Sequence, residues 1–203
     1  MHPPEAAAEP PDPGVSRSKT DLRRDLLAAR RTAAPLEQAF LAVAQAQLEL
    51  VAARTVALYV SIPPEPSTGP LIDWLVTSGT EVLLPVLHDD NDLGWGIAPR
   101  PGGAGLVPGR FGLMQPPVDL GADAITRADL VICPALAVDR SGERLGRGGG
   151  SYDRALTRVP AGTPIWAMVY DTELLDSLPA HPHDRQVNAA LTPTRLVRLA
   201  RST

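Results

Sequence analysis

The sequence predicts a single α/β domain with a mainly parallel β-sheet flanked by helices. Short apolar runs such as Val56-Ala-Leu-Tyr-Val60, Leu130-Val-Ile-Cys133 and Ile165-Trp-Ala-Met-Val-Tyr170 read as strands buried on both faces. They alternate with stretches of helical period, the pattern that produces strand, helix, strand units and parallel pairing. At 203 residues the chain fits one domain, with enough mass to bury a core without staples.

Composition narrows the function classes. Apolar residues make up 44% and charged residues 21%, the balance of a soluble globular protein. The formal net charge of −4 offers no basic surface for nucleic acid, so any anion site has to be local. Cys133 is the single cysteine, which excludes an internal disulfide and fits a reducing cytoplasm. Its apolar surroundings mark it as an inert buried thiol. Residues 1–18 read as a disordered tail, because proline, alanine and charge dominate and few apolar side chains are present to offset ordering entropy. No segment reads as a signal peptide or membrane span. The expectation is a cytoplasmic protein, a monomer or weak dimer, without nucleic-acid or membrane partners.

Helical period begins after Ser18. Ser18 with Asp21 resembles a capping arrangement, and Leu22, Leu26 and Ala29 share one face. Lys19 and Arg23 project together at a spacing of four, the pattern of a solvated basic face. A second helix is expected from about Pro35 to Ala53, with Leu36, Phe40, Val43, Leu48 and Val51 as its apolar stripe. The run Val56–Val60 is the first strand. A proline-rich turn carrying Glu65 leads to a helix over 68–78, with Gly79 as its stop signal. Val82–Val86 is the next strand, although Pro85 suggests an edge, a strand end or a bulge. Residues 88–128 read as long loops with a short extended piece near Trp95. A strand over 130–133, a helix over 151–158, a strand over 165–170 and a short helix over 172–178 follow. Strands over 187–191 and 196–199 close the domain, taken as residues 19–200.

The most informative segment is Arg144-Leu-Gly-Arg-Gly-Gly-Gly-Ser-Tyr-Asp153. Glycines admit positive φ and close approach, so consecutive N–H groups converge on an anion. Arg144 and Arg147 add charged forks, and Asp153 is able to hold a cation that bridges phosphates. Lying between a strand and a helix, the loop would sit at the carboxyl ends of the sheet and gain the helix start as a further source of N–H groups. A glycine-rich surface turn is the competing reading. The loop is not a Walker A sequence, since no Gly-Lys-Ser or Gly-Lys-Thr closes it. Nor is it a dinucleotide fingerprint, because Ser151 takes the third glycine position and ten residues separate the loop from its strand.

The stretch Asp129 to Leu156 around this loop resembles the signature of the 5-formyltetrahydrofolate cyclo-ligase family. Further blocks fall in the family's order: Lys19-Thr-Asp-Leu-Arg23, Tyr59 through Glu65 to Thr68, Gly109-Arg-Phe-Gly-Leu-Met-Gln-Pro116, and Leu178-Pro179 with His183-Asp184 and Val187. The resemblance implies a fold like the NagB/RpiA/CoA-transferase-like fold. It implies an ATP- and Mg2+-dependent ring closure of 5-formyltetrahydrofolate to 5,10-methenyltetrahydrofolate. ATP would phosphorylate the formyl oxygen, N10 would attack, and ADP and phosphate would leave. Such chemistry relies on positioning and charge neutralisation more than on a covalent nucleophile.

The resemblance also assigns residues. Lys19, Arg23, Arg144, Leu145, Gly146, Arg147, Gly148, Gly149, Gly150, Ser151 and Tyr152 correspond to the ATP-binding set. Val60, Glu65, Arg147, Gly148, Gly149, Gly150 and Ser151 correspond to folate contacts. Asp153 and Asp184 match the magnesium aspartates, and Arg147 and Asp153 are the expected catalytic residues. Glu65 is expected to accept hydrogen bonds from the donor-rich pterin edge. His181 and His183 read as loop residues rather than zinc ligands. Trp74, Trp95 and Trp166 read as packing, with Trp95 the best placed to lie against a pterin ring. The chain departs from the family at Ala135, Val138, Gly149, Ser151, Gln115 and Asn188, and Gly149 stands where a lysine is frequent. Two alternatives stay open: a folate- or nucleotide-binding protein without turnover, and a related α/β enzyme acting on a sugar phosphate or acyl-CoA.

Overall fold

A computed structural model describes residues 18–32, 34, 36–100, 105–179 and 185–199. The chain forms helices α1 (Lys19–Arg30), α2 (Glu37–Gln45) and α3 (Leu48–Val51), strand β1 (Thr55–Leu58) and helix α4 (Gly69–Thr77). A hairpin follows, β2 (Glu81–Leu87) with β3 (Leu93–Ile97), then a small one, β4 (Val107–Pro108) with β5 (Met114–Gln115). Next come β6 (Leu130–Pro134), β7 (Ala137–Asp139), β8 (Arg144–Leu145), helix α5 (Ser151–Thr157) and β9 (Ile165–Met168). Strands β10 (Leu174–Leu175), β11 (Ala189–Leu191) and β12 (Leu196–Arg198) complete the order.

Seven strands make the central sheet in the order β12-β11-β9-β6-β1-β2-β3. The five inner strands run parallel, and the edge strands β3 and β12 pair antiparallel. The expected fold class is therefore the observed one. Side chains alternate across the pleat, so each strand supplies both faces. Val131, Cys133 and Ala167 enter one buried cluster, while Leu130, Ile132, Trp166 and Met168 enter the other. This two-sided burial is why the strands read as unbroken apolar runs.

Several elements differ from expectation. The helix expected over 35–53 is broken at Ala46–Gln47 into α2 and α3. The break changes the helical phase: Leu50 turns into the core, while Leu36, Leu48 and Val51 are exposed. Phe40 keeps its core position, and Pro35 lies outside the described residues. On α1, Leu22 is buried but Ala29 faces solvent. Ser18 caps this helix as expected, accepting from the Asp21 N–H at 3.1 Å.

Pro85 lies within β2 and is neither at an edge strand nor at its end. The β1 ladder stops at Leu83, so Pro85 faces a pairing neighbour only on the β3 side, opposite Trp95. Residues 88–128 contain β3 as a full sheet member, together with the β4–β5 hairpin. Strand β3 was hidden by its glycines. A Cβ at Gly96 would meet the Val118 carbonyl oxygen at 2.2 Å, so the strand needs glycine where the next segment crosses it. The helix expected over 172–178 is a 3₁₀ turn, Asp171–Glu173, running into β10.

A second, three-stranded sheet, β10-β7-β8, carries the glycine loop. The nine residues between β6 and the loop supply β7 and the turn of its β7–β8 hairpin, and the loop's first two residues are β8. Asp139 ties the hairpin turn, accepting from the N–H groups of Ser141 and Glu143 and, with its other oxygen, from that of Leu178. Gly142 is required in this turn, since a Cβ there would lie 2.4 Å from the Val187 carbonyl oxygen. Leu50→Ala is expected to cost about 2–5 kcal/mol in denaturant unfolding. Leu48→Ala should stay within about 0.5 kcal/mol, and equal losses would refute the break between α2 and α3.

Candidate functional site

An open cleft of about 250 Å³ lies at the carboxyl ends of β1, β2 and β6. Ligands of open parallel sheets bind at this rim, because loops there leave the sheet without blocking it. One wall is apolar and includes Pro85, Leu87, Leu93, Leu113 and Met114. The opposite wall is the glycine loop, from Arg144 and Gly146 to Asp153.

Loop geometry follows from its residues. Gly148 and Gly150 have φ of 101° and 71°, the left-handed region in which side chains are strained. Gly150 precedes α5 directly, so the turn delivers Ser151, Tyr152 and Asp153 as the helix's first residues. Glu65 reaches the same cleft from the turn after β1. Its Oε2 accepts from the Ile62 N–H at 3.0 Å. Reciprocal bonds fix that turn: Ser61 N–H to Thr68 Oγ1 and Thr68 N–H to Ser61 Oγ, each 3.0 Å.

Three arginines line the cleft, and each meets one carboxylate. Arg147 Nε lies 3.1 Å from Glu65 Oε1, joining the loop to the β1 turn. Arg144 donates to Asp153 Oδ1 and to the Pro134 carbonyl, while its Nε is buried without a partner among the described residues. Arg30 is buried against Glu173. Burial pushes the Glu65 carboxyl above its ordinary value; the Ile62 N–H and the charges of Arg147 and Arg30 oppose that rise. Tyr152 has its ring edge-on to Trp95 at 6.3 Å and its hydroxyl buried without a partner among the described residues; burial pushes this phenol well up.

Of the residues singled out in the sequence, Val60, Glu65, Arg144, Gly146, Arg147, Gly148, Gly149, Gly150, Ser151, Tyr152 and Asp153 line this one cleft. Arg23 stands behind the loop, with its Nε donating to the Gly146 carbonyl at 2.9 Å. Lys19, one turn earlier on α1, is outside the lining. Leu145 places its side chain in a core cluster instead. Asp184, His181 and His183 lie outside the described residues. Trp95 is fully buried behind Tyr152 and does not line the cleft, which removes it as a pterin contact. Sequence reasoning missed Arg30, Tyr59 and Gln115, all in the lining. Gln115 was visible as a departure from the family; Arg30 carried no signal beyond its charge. Among the described residues, no group of three or more His, Cys, Asp or Glu is placed to hold a metal. A cation at Asp153 would complete its shell from ligand oxygens and water.

The fold and the cleft define a class: an α/β protein with an arginine-flanked glycine loop lining a cleft at the rim of a parallel sheet. Comparison with known proteins narrows it. The model of the 5-formyltetrahydrofolate cyclo-ligase family matches residues 15–193, and the chain belongs to this family. The 5-formyltetrahydrofolate cyclo-ligase of Mycolicibacterium smegmatis is 43% identical over 194 residues, 88% of this chain and 95% of the relative. That of Escherichia coli K12 is 35% identical over 152 residues, 72% and 82% of the two chains. The solved 5,10-methenyltetrahydrofolate synthetase of Aquifex aeolicus superposes with a TM-score of 0.77 at 26% identity, covering 91% of this chain and 94% of its own.

Cys133 sits on β6 behind the cleft, and burial pushes its thiol up to about 11. The native protein at pH 8 should therefore resist a thiol-specific chromogenic reagent and react with one equivalent after unfolding. Rapid labelling of the native state would contradict the burial described.

Proposed function

We propose that the chain cyclises 5-formyltetrahydrofolate to 5,10-methenyltetrahydrofolate in an ATP- and Mg2+-dependent reaction. The observation that carries this reading is the Glu65–Arg147 contact, which joins the expected folate residue to the phosphate loop in one cleft. Overall, the bond from the formyl carbon to N10 forms, its bond to oxygen breaks, and that oxygen departs on phosphate.

The residues present fit both groups. The loop offers backbone turns at Gly148 and Gly150, and the unpartnered Nε of buried Arg144 lies beside it. Asp153 is half-exposed toward the cleft and fits magnesium's habit of taking few protein oxygens. When bound, ATP supplies the phosphoryl group that activates the formyl oxygen, and Mg2+ draws off phosphate charge. Arg147, exposed enough to exchange partners, neutralises charge developing between the two ligands. Glu65 accepts from the pterin's amino edge, and the apolar wall excludes water from the ring. Cys133 remains a protonated thiol, so no cysteine nucleophile is required. The same reading places the protein in the cytoplasm as a monomer or weak dimer, acting on a reduced folate rather than at a nucleic acid or membrane. Among the described residues, no helix is long and apolar enough to cross a membrane.

The deciding experiment follows methenyl absorbance in the near ultraviolet, with wild type beside Arg147→Ala and Asp153→Asn. Arg147→Ala is expected to lower kcat/KM by about 10²–10³-fold, the effect of one charge-stabilising donor. Asp153→Asn should raise the Mg2+ concentration needed for half-maximal rate. Absence of product from wild type across magnesium and pH, or equal activity in all three, would sink the assignment. Tight folate or ATP binding without ADP release would instead favour a binding protein.

The pH dependence has a definite sign. Because burial raises the Glu65 carboxyl, it takes up its proton at a higher pH than an exposed glutamate, whose value is about 4.3. Acidification removes the acceptor, so folate KM should rise as pH falls through a window lying above that ordinary value. Glu65→Gln should weaken folate binding and flatten this acid limb; an unchanged limb in the variant would assign it to another group.

A further inference from the structure

Helix α1 carries two of the expected nucleotide residues, Lys19 and Arg23, and few of its side chains are fully buried. Of its 12 residues only Leu22 and Arg30 are buried. An isolated helix of this length is marginal in water, so its position has to come from tertiary contacts. At the amino-terminal half, Leu22 packs with Leu136, Leu145 and Leu178, and Arg23 donates to the Gly146 carbonyl. In the other half, Leu26 and Leu27 pack half-buried against the same cluster, and Arg30 adds a buried charged contact.

Arg30 Nε donates to Glu173 Oε1 at 2.6 Å and Nη2 to Oε2 at 2.8 Å, a two-pronged contact. The same Nη2 donates to the Ala135 carbonyl at 2.5 Å. Both side chains are nearly inaccessible, at 1% and 4%. Glu173 is itself set, since its Oε2 also accepts from the Tyr170 N–H at 2.8 Å. One buried pair thus joins the last turn of α1, the crossing between β6 and β7, and the turn after β9. An apolar anchor tolerates sliding, but a planar fork on a carboxylate is satisfied in one register. Burying a charge pair is costly unless every bond is made, and here four bonds converge.

We propose that Arg30 and Glu173 are positioning residues: their buried pair holds α1 in the register that presents Arg23 and Lys19 to the glycine loop, and so sets nucleotide affinity. This rests on the reading that α1 and the loop receive ATP. Glu173 does not line the cleft, so it acts through Arg30 and the helix and touches no ligand.

The test uses the full chain and Glu173→Gln, which keeps shape and removes charge. Three quantities are compared with wild type: ATP affinity by calorimetry with magnesium, folate KM with kcat at saturating ATP, and amide hydrogen exchange along α1. Glu173→Gln should weaken ATP by about tenfold or more, as a misplacement on the ångström scale does. Folate KM and kcat should stay within about twofold, the variation of an unperturbed site. Exchange on α1 should quicken. A purely structural pair would lower the melting temperature and leave ATP affinity alone. Unchanged ATP affinity, or equal weakening of ATP and folate, overturns the proposal. Should Glu173→Gln fail to fold, the double variant Arg30→Met with Glu173→Leu fills the site without charge. Its loss of ATP affinity with a native-like melt and quickened exchange along α1 supports the register role; retained affinity, or loss with unchanged exchange, overturns it. Wild type that binds no ATP would refute the functional reading and this proposal together. Wild type and Glu173→Gln binding ATP equally would refute the proposal alone.

Discussion

Three guanidinium groups share the walls of the cleft, and each stays there because it faces a carboxylate: Arg30 with Glu173, Arg144 with Asp153, Arg147 with Glu65. Their exposure grades from 1% through 4% to 40%, and that gradient divides their work. A charge removed from water has to be matched by fixed partners, so Arg30 is locked and serves the architecture. Arg147 keeps water contact on its own side of the pair, while its partner Glu65 is buried. Arg144 stands between, a buried guanidinium whose partner Asp153 opens toward the cleft. Positive charge is thus held ready beside the glycine loop in a chain whose overall charge is negative.

The central sheet and the small sheet contribute differently to this arrangement. The parallel strands end at one rim, which places Tyr59, Pro85 and Pro134 around a common opening. The small sheet carries the glycine loop, so that the loop lines the cleft at the rim without following a strand of the central sheet directly. That is why the loop does not match a dinucleotide turn. A fingerprint loop follows its strand at once, whereas here a whole hairpin, tied by Asp139 and Gly142, comes between them.

What the sequence made legible follows from burial. Strands covered on both faces appear as unbroken apolar runs, and glycines with arginines at short spacing advertise an anion site. Strands of two or three residues carry no period, so β7, β8 and β10 left no pattern, and Arg144 within β8 looked like loop. The break between α2 and α3 shifted the apolar stripe by a fraction of a turn, enough to exchange Leu48 for Leu50. Trp95 appeared available to a ligand because Gly94 and Gly96 disguised its strand as loop, when both glycines serve close crossings by residues 116–119. Arg30 was illegible for a simpler reason. A basic residue in the last turn of a helix is ordinarily solvated, and only its partner, 143 positions away, reveals otherwise.

One expected departure, Gly149 in place of a lysine, falls where neighbouring elements bring positive charge. Gly149 forgoes a loop lysine, yet the loop's back is approached by Arg23 from α1, whose Cζ would lie 3.5 Å from a Cβ at Gly148. Arg154 stands on the other side, 3.3 Å from a Cβ at Gly150, anchored by its bond to the Asn91 carbonyl. A flexible lysine in the loop would bring its charge with high rotational freedom. Arginines braced on neighbouring elements lose less on ordering, since their forks are already oriented. Placing charge on α1 instead of in the loop has a structural consequence: the cradle is complete only when the helix is seated. The seating of Arg23 against the loop is thus tied, through one helix, to the Arg30–Glu173 contact at the other end of α1.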